Sequence, residues 1–217
     1  MAEGLQAKGM KYDAIDLTAL NASTEIAGYY IPLLMNKEKP RSGDNKAPGN
    51  CSAFIATGKY TKDGKIVICH NDWTDYIIGE HCNIIADIKP EKGNHILMDC
   101  LPGTIQSGDD FVISSGGILI TETTITGFKG FDSTRTPEFV RARKTAQYAN
   151  SIDDAVKIMT TDNNGGYAND WLIGDTKTNE VAKLELGLKH YKVWRSKDTV
   201  LVGSNYPSHQ ELIKDET

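Results

Sequence analysis

Cys51 opens a strand-like run, Cys51-Ser52-Ala53-Phe54-Ile55-Ala56, directly after residues 36–50, which read NKEKPRSGDNKAPGN and hold no apolar anchor. A cysteine at the seam between a linker of turn formers and a buried strand suits a nucleophile unmasked by chain cleavage. If the Asn50–Cys51 bond is opened, Cys51 gains a free α-amine beside its own thiol. An α-amine ordinarily titrates near ~8, so part of it is neutral at pH 7 and acts as a base. Thiol and base then come from one residue. The ordinary fate of a free cysteine, a half-buried structural thiol, is the competing reading.

Other residues could join such a site. His70-Asn71-Asp72-Trp73 ends the run that would pair with the Cys51 strand. On a strand, His70 and Asp72 share a face, so either the imidazole or the carboxylate can reach the nucleophile with Trp73 walling an apolar pocket, or the group is a strand-end polar cluster beside a core tryptophan. Glu122-Thr123-Thr124 offers a hydroxyl from Thr123 or from Thr124, but alternation forbids both. Asn169 starts a strand after the bend Asn164-Gly165-Gly166-Tyr167 and is the type of amide donor an oxyanion hole uses. Asn205, in Gly203-Ser204-Asn205-Tyr206-Pro207, is a second polar donor for substrate, or simply a turn residue. Cys69-His70 and His81-Cys82 have the composition of a zinc set. Adjacent strand residues face opposite sides, which argues against it, and no metal or cofactor is expected. Cys82 and Cys100 either pair across a hairpin or stay as reduced core thiols.

These residues need elements to hold them. Apolar positions from Tyr12 to Tyr30 recur at helical spacing, with Asp13 placed to cap the helix and Pro32 following it. After Cys51 the period becomes two. Runs at 51–57 and 65–70 flank Lys62-Asp63-Gly64, a strong hairpin signal. Runs at 83–88 and 95–100, then 110–114 and 118–126, make two more hairpins. Thr136-Pro137-Glu138 reads as an N-cap with proline at the first helical position, leading a helix to about Ala149. Ser151-Ile152-Asp153-Asp154 resembles a capping box and opens another helix to about Thr160. Strands return at 171–175, 181–186 and 191–195. Two β-meanders separated by helices predict an α+β fold of two stacked antiparallel sheets with helices outside, a four-layer αββα sandwich. Residues 1–50 read as a helical leader with linker 36–50, and 51–217 as the domain, with a C-terminus that stops before the expected elements are complete.

The 217 residues carry a net charge of −5 with both signs interspersed and 39% apolar content. No basic stripe for nucleic acid or polybasic face for anionic membrane is present. No apolar run approaches a bilayer span. The start lacks the apolar stretch of a signal peptide, yet the chain reads as a piece of a longer protein, so compartment and oligomeric state stay open.

Taken in order, Asn50-Cys51-Ser52-Ala53, His70-Asn71-Asp72-Trp73, Leu101-Pro102-Gly103-Thr104-Ile105, Ser107-Gly108-Asp109-Asp110-Phe111, Glu122-Thr123-Thr124-Ile125 and Asn169-Asp170-Trp171 resemble the phospholipase B-like proteins. They are also similar to the related acyl-CoA:isopenicillin N acyltransferase-like and choloylglycine-hydrolase-like members of the N-terminal nucleophile hydrolase superfamily. The resemblance runs from about Tyr12 to about Pro207. It implies the αββα fold, self-cleavage between Asn50 and Cys51, and attack by the Cys51 thiolate on an amide or ester carbonyl through an acyl-enzyme. It further implies that His70, Asp72 and Trp73 shape the site, Thr123 lines it and Asn169 stabilises the oxyanion. The implied partners are a small-molecule acyl amide or lipid-like substrate and the chain's own cleaved leader. Bile-salt-type relatives carry an arginine near the position of His70, so a bile-acid or penicillin-like substrate is not expected. Acyl transfer to an amine, or a non-catalytic binding module of the same fold, are the alternatives.

Overall fold

The computed structural model describes residues 1–35, 51–81, 83–108 and 111–217. The linker 36–50, with Asn50, and Cys82 lie outside the described residues, so the cleavage point, the Cys82–Cys100 pairing and the His81-Cys82 half of the zinc set are not seen.

In chain order the helices are α1 (Ala2–Gln6), α2 (Ala14–Asn21), α3 (Ser23–Glu25), α4 (Ile31–Met35), α5 (Tyr76–His81), α6 (Glu138–Tyr148), α7 (Ile152–Thr160) and α8 (Gln210–Glu216). The strands are β1 (Ser52–Thr57), β2 (Val67–Asn71), β3 (Ile84–Ile88), β4 (Ile96–Cys100), β5 (Phe111–Ser114), β6 (Ile118–Thr124), β7 (Asn169–Asp175), β8 (Glu180–Leu186), β9 (Tyr191–Ser196) and β10 (Thr199–Gly203).

The fold is α+β: two antiparallel sheets stacked face to face, with helices outside. A three-stranded sheet has the order β10-β1-β2, and a seven-stranded sheet runs β3-β4-β5-β6-β7-β8-β9. Ala53, Ile55, Leu172 and Val181, with Ile66 and Leu201 beside them, form the apolar seam between the sheets. The other face of the large sheet buries Ile96, Ile120, Trp171 and Leu184 against Ala146 and Met159 of α6 and α7. The outer face of the small sheet shows Phe54, Val200 and Val202 to solvent, and the helical layer expected there is not seen among the described residues.

The sheets are not divided as the two sequence meanders suggest. β6 and β7, which flank α6 and α7 in sequence, are hydrogen-bonded neighbours, with Ile118 opposite Asp175 and Thr124 opposite Asn169. β1 and β2 leave the first meander and take β10 as their third strand, with Ala53 opposite Gly203. The sequence reading has no strand at 199–203 and no helix after it. Yet Glu216 of α8 is buried, its carboxylate accepting the main-chain N–H groups of Leu188, Lys189 and His190.

Local signals are kept with small shifts. Asp13 caps α2 in a reciprocal box with Asp16. The helical path then continues through a wide turn, Ile26–Tyr30, into α4, so Pro32 lies inside it rather than ending it. Pro32 has no N–H to donate there, so the path, already widened over Ile26–Tyr30, carries one main-chain hydrogen bond fewer at that point. Helix α6 starts one residue late, with Pro137 at its cap, because the Thr136 hydroxyl and N–H are both bonded to Asp162. Ser151 caps α7 through the N–H of Asp154 at 3.0 Å, while the Asp154 carboxylate reaches back to the N–H of Asn150. Among the described residues no helix is long and apolar enough to cross a membrane.

Candidate active site

Cys51 sits one residue before β1, in the middle of the small sheet, and is buried. Ala53 and Ile55 pack in the seam between the sheets, so strand alternation sends Cys51 to the same side. Its Sγ lies 3.6 Å from Asp72 Oδ1, just past the end of the paired strand β2. The main-chain N–H of Trp73 also reaches the thiol. Burial pushes the thiol pKa up to about 11, against the Trp73 N–H, and the charges of Glu122 and Asp72 push the same way. In this intact chain the proton therefore stays on sulfur at neutral pH.

His70 lies opposite Ala53 in the β1–β2 ladder and is half-buried, while its neighbour Cys69 is exposed. The alternation that argues against joint metal binding by Cys69 and His70 is thus observed directly. Burial lowers the imidazole pKa and so favours the neutral ring, partly opposed by the Asp72 charge. Trp73 contributes its main-chain N–H to the thiol, and its indole is 67% exposed.

From the large sheet, Thr123 answers the small one. A Cβ added to Gly203 of β10 would come within 2.6 Å of Thr123 Oγ1, so the two strands meet there with no room between them. The hydroxyls of Thr121 and Thr123 are buried without a hydrogen-bond partner among the described residues. Of the two threonines left open by the sequence, 123 faces the small sheet and 124 the helices. Asn169, opposite Thr124, shares the helix-facing side with Trp171. It is fully buried, and both its amide atoms lack a partner among the described residues. Glu122 lies on that side too, lining a cavity with Trp171, Thr145 and Met159, and its charge is felt at the Cys51 thiol.

Asn205 takes a left-handed conformation (φ 60°) and ties the sheets together at the Cys51 end. Its amide nitrogen donates to the Thr124 carbonyl at 2.7 Å, and its own carbonyl accepts from the Thr126 N–H at 3.0 Å. The donor expected to meet substrate is thus engaged in holding main chain.

Sequence reasoning missed a buried ionic group beneath Thr123. Asp170 stands opposite Thr123 in register. Lys183 on β8 bridges Asp170 Oδ2 at 3.0 Å and Glu185 Oε1 at 2.9 Å, with both carboxylates shielded from solvent. Glu185 in turn accepts the N–H groups of Ser208 and His209. Burial raises the Asp170 pKa to about 7, against the pull of Lys183. The sequence shows only Lys183 and Glu185 alternating with apolar residues, the pattern of a strand with one solvated face.

The family model for phospholipase B matches residues 3–207. A Caenorhabditis elegans sequence of the phospholipase B-like 1 type is 30% identical over 70% of this chain and 28% of its own length. Phospholipase B-like protein C of Dictyostelium discoideum is 27% identical over 74% of the chain and 31% of its own length. The chain thus spans under a third of these relatives. Among solved structures, penicillin V acylase from Agrobacterium tumefaciens superposes with a TM-score of 0.49 at 10% identity, covering 76% of this chain and 55% of that one. With the family match extending from the N-terminal helices to the turn that carries Asn205, the chain belongs to the phospholipase B family.

Proposed function

We propose that this chain carries the nucleophile of an acyl-bond hydrolase. Cys51, freed by cleavage after Asn50, attacks the carbonyl of a linear amide or acyl ester. The observation that carries this reading is the buried Cys51 thiol, 3.6 Å from Asp72 and capped by the Trp73 N–H. Membership of the phospholipase B family supports it.

In the intact chain burial, helped by the charges of Glu122 and Asp72, keeps the thiol protonated, so the nucleophile is latent. Opening the 50–51 bond puts an amine at the same residue, beside the Asp72 carboxylate. Its neutral form takes the Sγ proton, and the cation that results stabilises the thiolate where two acidic groups had opposed it. The thiolate adds to the substrate carbonyl; Asn169, the amide that the family resemblance assigns to the oxyanion, starts β7 on the helix-facing side and must turn toward the seam to donate to it. The C–N or C–O bond then breaks as the ammonium returns its proton to the leaving group, and water releases the acyl group from sulfur. Thr123 and His70 line the reacting space. An amine in place of water would make the same intermediate an acyl donor, and the ratio of aminolysis to hydrolysis separates the two outcomes. The substrate class is a small-molecule acyl amide or a lipid-like acyl ester, and residues 1–50 act as the pro-segment.

The test is intact mass on wild type and Cys51→Ala. Two pieces meeting at Asn50 and Cys51 in wild type alone support the reading. A single uncut chain in both, on the longer protein as well as on this one, overturns it.

A further inference from the structure

Glu25, in the N-terminal helical segment, is buried on a stretch whose other residues are exposed or half-buried. Its Oε1 accepts the main-chain N–H of Glu138 at 2.7 Å, and both its oxygens accept from Asn164 Nδ2 at 3.2 Å. A Cβ on Gly166 would approach Oε1 to 2.8 Å, so the bend at 164–168 is shaped to admit this carboxylate. One helical turn on, Tyr29 stacks against Phe131 with ring centroids 5.8 Å apart, and its hydroxyl bonds the main chain of Ala168 and Tyr167. The segment therefore grips both ends of the bend that delivers Asn169.

We propose that Glu25 and Tyr29 are positioning residues for Asn169, and that the grip of Glu25 is a proton-dependent latch, closed in acid and opened in base. The role given to Asn169 rests on the reading above; the latch does not.

The groups facing Glu25 decide the sign. Helix α6 presents Glu138, which is buried, and Arg141; the bend presents Asn164; and Glu122 of β6 acts on both Glu138 and Tyr29. The guanidinium donors of Arg141 go to the carbonyls of Met159 (2.7 Å) and Thr136 (3.1 Å) and to Asn164 Oδ1 (3.4 Å). Asp162 draws on the same cation. Three carboxyl groups thus share one cation whose donors are spent on neutral acceptors. Burial raises Glu25 and pushes Glu138 to about 8. A carboxyl whose folded pKa is raised favours the folded contact when protonated. The contribution is complete below the ordinary carboxylate range and is lost as pH rises through the raised values, up to about 8.

The experiment is amide hydrogen exchange on the whole chain, corrected for intrinsic rate, in wild type, Glu25→Gln, Glu25→Ala and Tyr29→Phe. Wild type should lose about tenfold of its protection at residues 164–169 between about pH 5.5 and about pH 9. Glu25→Gln, neutral throughout, should reduce that pH dependence. Glu25→Ala should lose protection at both pH values, and Tyr29→Phe should loosen residues 167–169 more than 164–166. Equal wild-type protection at the two pH values overturns the latch. Full protection of residues 164–169 in both Glu25→Ala and Tyr29→Phe overturns the positioning role. If Glu25→Ala fails to fold, the wild-type pH series and Glu25→Gln still decide. Exchange requires no turnover, so an inert chain with a working latch would sink only the hydrolase reading.

Discussion

Gly203 and Thr123 bring the two sheets into tight contact: a methyl placed on Gly203 would stand 2.6 Å from the threonine hydroxyl and 3.2 Å from its methyl. The pair fixes how near the Cys51 strand comes to the large sheet, since Gly203 is the register partner of Ala53. Gly203→Ala should therefore destabilise the chain by about 1–3 kcal/mol, the usual range for overpacking. Thr123→Ala, which removes both contacting atoms, should recover most of that loss in the double variant. Urea unfolding of the four-member cycle measures it. Additive losses would mean the strands separate without meeting resistance at this point.

The elevated thiol predicts slow alkylation. In the uncut chain, iodoacetamide labelling of Cys51 should climb with pH and reach no plateau below about pH 10, as a thiol near 11 requires. Asp72→Asn removes a negative neighbour and a hydrogen bond that favours the thiol, so the pKa falls and labelling at about pH 9 should quicken several-fold. Labelling followed by mass spectrometry at Cys51 gives the rate, and an unchanged rate in Asp72→Asn would remove Asp72 from the site.

Lys183 holds two carboxylates that solvent cannot reach. Lys183→Met should cost about 3–5 kcal/mol at pH 7, the range for breaking a buried ion pair from one side. The loss should shrink in acid. Asp170 already has its folded pKa raised to about 7, so its protonated form is the better tolerated, and the penalty for its charge grows as pH rises through that value. Chemical unfolding at about pH 5 and about pH 8 should show the difference; a pH-independent loss would leave packing alone as the cause.

Asn169 is buried with neither amide atom bonded among the described residues. Removing two unsatisfied polar atoms offsets the lost volume, so Asn169→Ala should change stability by no more than about 1 kcal/mol. If its amide meets the oxyanion, turnover of an acyl substrate should fall about 10²–10³-fold with folding intact. A large loss of stability with unchanged turnover would make it a core residue instead.

Much of the fold was legible where the signal is local. Asp63-Gly64 gives a tight turn, with Gly64 at φ 75°, and Ser151 caps its helix through the expected bond. What failed was non-local. Nothing within Thr199–Gly203 says that its partner is a strand almost 150 residues earlier, and nothing in β6 says that it will pair across two helices with β7. The site divides the same way. Cys51, His70 and Asp72 come together because one hairpin carries them all. Thr123 over Thr124 needed the stacking of the sheets. Glu25 looks like an ordinary solvated helix residue until tertiary docking buries it. Lys183 declares itself only when its strand is seen to be covered on both faces.

The end of a polypeptide is ordinarily its loosest part, because one side of it has nothing to hold. β1 is different: it runs between β10 and β2, with Ala53 opposite Gly203 on one flank and Ser52 opposite Asn71 on the other. A break just ahead of Cys51 would create a terminus already laced into a sheet on both sides. Such a terminus would fray little, because the new amine would stand one residue ahead of a strand held on both flanks.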